Sequence, residues 1–411
     1  MIFIGIDWSD SFHAVCILDG EGKKLAAFEV SHDQKGFESL YDRIAKYAPA
    51  PDNAAIAIET KHSLLVDYLS ELGYTLYFLN PKQTDRFRDR YRMSRSKSDG
   101  FDAYVLADSL RTDMHVFSAL SPLDDLSMML RVLTRAREGL VKRKTATQNE
   151  LTSSLKRYFP VAVSLLAKIS QAEIIPFLLE YPTYEQASSA SVKRITLLLK
   201  KQGVSDKVAL RHAEQIRAML KEPQPTPSAA VLIAYPIAAC SLLRQLQNII
   251  NELESIEQEI MDIYRDHPNR ALIESMPGLG DILSPVLAAE IGADISRFSS
   301  VKTLKAFSGS SPVTTRSGKY QSIHFRRACN MHLRRAIHLA SRSAIIKSPW
   351  ARELYNRMIA KGHKYARALR AVGDQLIEIL YAVLTKRTPY DEAYHLRMKS
   401  LHGVKPHAKL T

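Results

Sequence analysis

Three cysteines in 411 residues, Cys16, Cys240 and Cys329, stand far apart and form no CxxC pair. That excludes a thiolate zinc module and a disulfide framework, and fits a reducing compartment. No apolar run approaches the roughly 20 residues that span a bilayer. The opening MIFIGIDWSD has neither the basic nor the long apolar region of a secretory signal, so a cytoplasmic protein with no membrane partner is expected. Glycine-rich phosphate loops are also scarce: between residues 1 and 125 nothing beyond the DGEG of 19–22 qualifies. This argues against a sugar kinase or actin-like ATPase, which also opens on a strand ending in GID.

Hydrophobic residues make up 46% of the chain, enough for two or three domains with buried cores. The net charge of +14 is uneven. Residues 313–411 hold 20 Lys or Arg against 5 Asp or Glu, a net +15, while the first 312 residues carry −1. Such an excess, with Arg326 beside Arg327 and Arg334 beside Arg335, suits a polyanion, because each neutralised phosphate releases counterions. A solvated basic surface is the plainer alternative.

Residues 2–8, 13–19 and 24–30 (IFIGIDW, HAVCILD, KLAAFEV) read as three short strands in an antiparallel meander. Helical spacing follows at 34–47, a buried strand at 53–59, a helix at 62–72 and a strand at 74–79. This order predicts a mixed sheet covered by helices, for which the ribonuclease-H-like arrangement is the closest match. One long helix is expected from 124 to about 158. Tyr235, Ala239, Leu242, Leu246, Ile249, Leu253, Ile256, Ile260 and Ile263 recur at alternating steps of four and three, an a/d seam that predicts a coiled coil. Between these, 160–230 reads as smaller helices ending in the EPQPTP linker. LIESMPGLGDILSPVLAAEIG at 272–292 reads as two helices about a glycine turn. It resembles a helix–hairpin–helix that offers amides to a phosphate, or is a two-helix turn with no ligand. Basic helices follow at about 328–346, 349–361 and 363–385.

RSKSDGFDAYVLAD at 95–108 sets Asp99 and Asp102 three apart at a helix start, on one face. Helix capping explains one of them. It leaves Asp7, which finishes the first strand in IGID, and Glu59, which finishes the fourth in AIAIET; an unpaired acid among buried residues is costly. If strands one and four are neighbours, both acids emerge together and the helix from 99 can lie across them. Asp7, Glu59, Asp99 and Asp102 would then converge as oxygen ligands for Mg²⁺, two ions about 4 Å apart clamping the oxygens of a phosphodiester displacement. Asp10, in a turn, and Asp108, two turns along the helix, compete less well.

At these separations IGID, IET and KSDGFDA resemble the DEDD transposases of bacterial insertion sequences, which join a RuvC-like nuclease domain, a coiled coil and a second transposase domain. MPGLGDILSPVLAAEIG, FSSVKTLKAFSGSSPVTTRSGK and HLRRAIHLAS continue the match, over about 1–125 and 235–390. The resemblance implies α/β plus all-α architecture. A ribonuclease-H-like (RuvC-like) domain is expected over 1–122, a helical coiled-coil region over 123–266 with the 160–230 helices inserted, and a basic, mostly helical domain over 267–411.

It also implies Mg²⁺-dependent cleavage and exchange of donor and target DNA. A C-terminal serine, here Ser317 in TTRSGK, would link covalently to DNA, with Arg316 and Lys319 on the phosphate, and would reach the acids through assembly of subunits. Serine needs a metal or a base to act as a nucleophile. Without the resemblance such a serine is an ordinary loop residue, and Ser308, Ser310, Ser311 and Ser322 stand close by. Some members use a noncoding bridge RNA to pair with both DNAs, which the basic helices with Arg326, Arg327, Arg334 and Arg335 would hold. Arg86, Arg88, Arg90, Arg92, Arg95 and Lys97, around Tyr91, read as a backbone-binding strip in a loop. A homo-oligomer through the coiled coil is expected. The rivals are a RuvC-like nuclease that resolves branched DNA with metal-activated water, and an inert nucleic-acid-binding scaffold.

Overall fold

Every second residue of IFIGID is a bulky aliphatic, and a strand turns that period into two unlike faces. The computed structural model describes residues 1–60, 63–88, 98–117, 119–120, 123–318 and 320–403, in two compact units, Met1–Pro122 and Leu123–Thr411. In the first unit, β1 (Ile2–Asp7), β2 (Phe12–Leu18), β3 (Lys24–Ser31), β4 (Ala54–Ile58) and β5 (Thr75–Phe78) form one sheet in the order β3-β2-β1-β4-β5. The first three strands are antiparallel, while β4 runs parallel to β1 and β5 parallel to β4. Ile4, Ile6, Ile56 and Ile58, all fully buried, pack under α1 (Gln34–Ala45) and α2 (Leu64–Glu71). The opposite face carries Phe3, Gly5, Ala55 and Ala57. It is covered by α4 (Asp99–Asp113), which follows α3 (Pro81–Arg88) in the chain. Small side chains on this face let α4 lie close.

In the second unit two long helices, α5 (Asp125–Tyr158) and, after five short ones, α11 (Ala229–Arg265), run antiparallel. Leu130 shares a core with Ile260 and Tyr264, and Leu151 and Leu155 share another with Ala239, Leu243 and Leu246. The second of these cores also takes in α6 (Pro160–Lys168), α7 (Gln171–Glu180), α8 (Tyr184–Ser189), α9 (Val192–Lys201) and α10 (Asp206–Met219). The buried stripe of α11 runs through Leu243, Ile250 and Tyr264 rather than Leu242, Ile249 and Ile263, which are half-buried beside it. Ala239, Leu246, Leu253 and Ile260 of the predicted seam are buried as expected; in a helix this apolar two adjacent rows match the period almost equally, so sequence alone leaves only the alternate row one residue out. The stripe packs on α5 of the same chain. The absence of a long apolar run also needs correcting: by length and composition α11 is long and apolar enough to cross a bilayer.

The rest of this unit comprises α12 (Arg270–Glu274), α13 (Leu283–Ile291), α14 (Val301–Ser308), β6 (Val313–Ser317), β7 (Tyr320–His324), α15 (Met331–Lys347), α16 (Pro349–Ala360), α17 (Tyr365–Lys386) and α18 (Glu392–Gly403). Trp350, Leu333 and Leu380 centre its core, to which Leu130, Ile260 and Tyr264 also belong. The glycine turn between α12 and α13 is fixed by packing. At Gly278, φ +85°, a Cβ would lie 2.4 Å from the Ala340 carbonyl oxygen of α15. Ser317, expected in a loop, ends a strand: β6 pairs antiparallel with β7, and all of β6 and most of β7 face solvent.

Candidate active site and nucleic-acid interface

Asp7 is the last residue of β1, and Glu59 follows the last residue of β4. The two strands are parallel neighbours with Ile6 opposite Ile58, so the acids leave the sheet at adjacent points. Strand alternation puts Asp7 on the side of Phe3 and Gly5, and Glu59 on the side of Ala55 and Ala57. Both therefore face the layer that α4 occupies.

The direction of α4 follows from its contacts. Leu110 packs with Phe3 near the start of β1, and the Arg111 guanidinium lies against Gly22 in the β2–β3 turn, 3.1 Å from where a Cβ would be. The opposite end, carrying Asp99 and Asp102, thus lies over the C-terminal ends of β1 and β4. Gly5 sets the depth: a Cβ there would sit 1.9 Å from the Ala103 carbonyl oxygen and 2.5 Å from the Ala107 nitrogen. Asp99 is exposed and Asp102 is buried. Both are in the first turn, where the helix dipole favours negative charge.

Asp102 has a cationic partner that the sequence did not announce. Arg88 Nε donates to it at 2.7 Å, and Arg88 Nη1 donates to the exposed Asp85 at 2.7 Å. Burial works against the guanidinium's charge, but the bonds to Asp102 and Asp85 outweigh it and hold the Arg88 pKa above its ordinary value. Arg86 and Arg88 are helical, in α3, not in a loop; Arg90, Tyr91, Arg92, Arg95 and Lys97 lie outside the described residues. Carboxylate oxygens are suitable donors for a hard divalent ion. Among the described residues, however, no three acid, His or Cys side chains close on one point. The arrangement is two strand-end acids and a helix start at one end of a sheet, not a formed cage. Asp108, the rival acid, is buried and paired with Arg111 at 2.6 Å, and Asp10 is an exposed bend residue.

Behind Asp7 the chain is pinned by two histidines. The Ser9 amide donates to Nδ1 of the fully buried His13 at 3.3 Å. That leaves the His13 proton on Nε2, which is 2.8 Å from His32 Nδ1. Burial, then the neighbouring His32, pushes the His13 pKa down to about 4, so the ring is neutral at pH 7.

Ser317 ends β6, exposed, opposite Tyr320 across the turn at Gly318. Arg316 is exposed beside it, and Lys319 lies outside the described residues. Of the neighbouring serines, Ser308 is buried and donates to the Lys305 carbonyl, and Ser310 Oγ donates to Asp374 at 2.6 Å. Ser322 Oγ is 2.7 Å from His324 Nε2, a serine within reach of a base. The expected arginine contacts are partly engaged within the chain: Arg326 with the Ser311 carbonyl, Arg334 with the Arg326 carbonyl, Arg335 with Glu138 at 2.8 Å. Arg327 is exposed.

Acids at the ends of adjacent strands and a basic C-terminal stretch are features that suit work on a polyanion. Comparison with known proteins makes this specific. Residues 4–160 match a family described as transposase, of DEDD type, and residues 270–356 match the family described as Transposase IS116/IS110/IS902. The chain is 31% identical over 396 residues, 95% of each chain, to the "Mini-circle putative transposase for IS117" of Streptomyces coelicolor. It is 25% identical to the "Insertion element IS900 uncharacterized 42 kDa protein" of Mycobacterium paratuberculosis, over 95% of this chain and 98% of that one. The chain belongs to the IS110/IS116 family of insertion-element transposases.

Proposed function

We propose that this transposase cuts and rejoins donor and target DNA with Asp7, Glu59, Asp99 and Asp102 as the holders of Mg²⁺ and Ser317 as the nucleophile. The observation that carries the reading is the shared placement of the acids. Asp7 and Glu59 finish adjacent parallel strands on the face over which α4 begins with Asp99 and Asp102. The sheet order β3-β2-β1-β4-β5 supports reading the first unit as ribonuclease-H-like, of the RuvC type. Mg²⁺ held there supplies Lewis-acid polarisation of the phosphodiester.

The chain's own residues do the rest. The sheet holds Asp7 and Glu59 rigid, and Arg88 must yield Asp102 as the site fills. Arg316 and Lys319 grip the phosphate. Ser317 Oγ attacks phosphorus and the departing strand oxygen takes up the serine proton; the reverse attack by a new strand end restores the serine. Assembly of two or more copies brings one copy's serine to another's acids. The basic residues of 313–411 hold DNA and a noncoding bridge RNA that selects it.

The Ser322 contact with His324 favours a second nucleophile, and metal-activated water is the third. Trapping separates them. Stalled reactions run on denaturing gels and digested for peptide mapping should show DNA joined at Ser317. A link at Ser322 moves the role there, and free nicked strands with no protein attached mean water. Asp99→Asn should abolish cleavage while nucleic-acid binding survives; cleavage at the parent rate would remove Asp99 from the site.

A further inference from the structure

A cleft of about 330 Å³ opens in the second unit between the end of α14, the residue after β7, and helices α15 and α17. The two helices touch beside it at Gly373, where a Cβ would meet Ser341 Oγ at 2.9 Å and Ile337 Cγ2 at 3.0 Å. Leu369 and Ile377 make part of the lining apolar, and Arg334, Arg335 and Arg370 bring positive charge to it.

Three features of this cleft are unusual for a gap between packed helices. Phe325 is 52% exposed, with the guanidiniums of Arg334 and Arg370 at 4.3 and 5.6 Å from its ring centre. The Arg334 Nε is cut off from solvent and has no acceptor among the described residues, although such donors are nearly always satisfied. His338 is held below its ordinary pKa, by burial first and then by Arg342 and Arg370. It therefore offers one neutral donor and one neutral acceptor. An aromatic face, neutral polar atoms and flanking cations fit a flat ring with polar edges attached to a phosphate. The volume, at the low end of the ~300–1,000 Å³ of ligand sites, suits one such ring and not a polymer groove.

We propose that the cleft receives one unpaired nucleobase of a bound strand, stacked on Phe325, with Arg370 on the adjoining phosphate. It rests on the reading of the chain as a nucleic-acid-processing enzyme but not on which residues cut. An unpaired base reaches such a cleft at little cost, whereas a paired one must first leave its stack.

The test uses the full chain and oligonucleotides carrying 2-aminopurine, either unpaired in a single strand or paired in a duplex, in deoxyribo and ribo forms. Phe325 is exposed, so Phe325→Leu and Phe325→Tyr should melt with the parent. Removing the aromatic face should weaken binding of the unpaired strand by five-fold or more and abolish quenching of its 2-aminopurine. Phe325→Tyr should bind like the parent, and the duplex should bind all three alike. A larger loss with the deoxyribo strand makes DNA the source of the base, and a larger loss with the ribo strand makes it RNA; both support the cleft. A loss below five-fold, or an equal loss on duplex and single strand, overturns it. Strand cleavage by Asp99→Asn reads the metal site and base binding by Phe325→Leu reads the cleft, so failure of the metal reading and failure of the cleft give different results.

Discussion

Gly5→Ala tests whether the depth at which α4 lies on β1 governs both stability and chemistry. The added methyl would sit 1.9 Å from the Ala103 carbonyl oxygen, 2.5 Å from the Ala107 nitrogen and 2.9 Å from the Leu106 Cβ. Real Cβ contacts do not fall below 3.0 Å, so α4 must withdraw by about 1 Å. Two of the three clashing atoms are backbone and cannot rotate away. Overpacking costs about 1–3 kcal/mol, and a backbone clash belongs at the upper end, about 3 kcal/mol. With a urea m-value of about 2 kcal/mol/M that is a midpoint lowered by about 1.5 M.

The same withdrawal carries Asp99 and Asp102 away from Asp7 and Glu59, and a misplacement of about 1 Å costs on the order of 100-fold in rate. Urea unfolding followed by circular dichroism, paired with strand cleavage on labelled DNA, measures both. Gly100→Ala is the stability control: it adds a methyl between the two helix acids with nothing within 4 Å, and should gain up to about 1 kcal/mol. A Gly5→Ala protein that unfolds with the parent would refute the packing argument. One that is destabilised yet cleaves at the parent rate would refute the link from packing to the acids.

Glu290 is fully buried, takes Arg135 through both oxygens at 2.9 and 3.0 Å, and accepts from Asn330 at 2.6 Å with Arg131 alongside. Burial raises its pKa, but the bonds from Arg135 and Asn330 prevail and hold it below the ordinary value. Glu290→Gln should therefore lose about 3–5 kcal/mol at pH 7 by urea unfolding. Because the folded pKa is the lower one, the difference from the parent should shrink as pH falls through it. His13 titrates at about 4 in the folded chain against an unfolded value of 6.5, so its contribution is complete above 6.5 and is lost as pH falls toward 4. Unfolding at pH 7.5 and pH 5 should differ by about 2 kcal/mol from this residue, and His13→Gln should remove that part of the slope; an unchanged slope would mean that the ring is not held neutral.

The placement of Asp7 and Glu59 was legible in the sequence because each follows a run of buried strand residues, where an unpaired carboxylate is costly, and that of Asp99 and Asp102 because they open a helical pattern. That Asp7 and Glu59 leave the sheet at adjacent points was legible too, once the ribonuclease-H-like order was taken to put β1 beside β4. Arg88 was not: a long side chain can reach several acids, and nothing in a string of alternating arginines says which one turns inward to Asp102. The α11 phase was ambiguous for the opposite reason, since too many apolar residues satisfy the same period. The hairpin of Ser317 was missed because its strands bury almost nothing, and the alternation that marks a strand depends on burial. Gly5 was read as part of IGID and not as a contact, although it decides how near the helix acids come to the strand acids. In this unit the proposed metal holders are carboxylates, but the distance between the helix and the strand ends that carry them is set by Gly5, Ala55, Ala57, Ala103 and Ala107, residues with no chemistry of their own. Lengthening any of them is expected to move the helix acids away from the strand acids without replacing a single carboxylate.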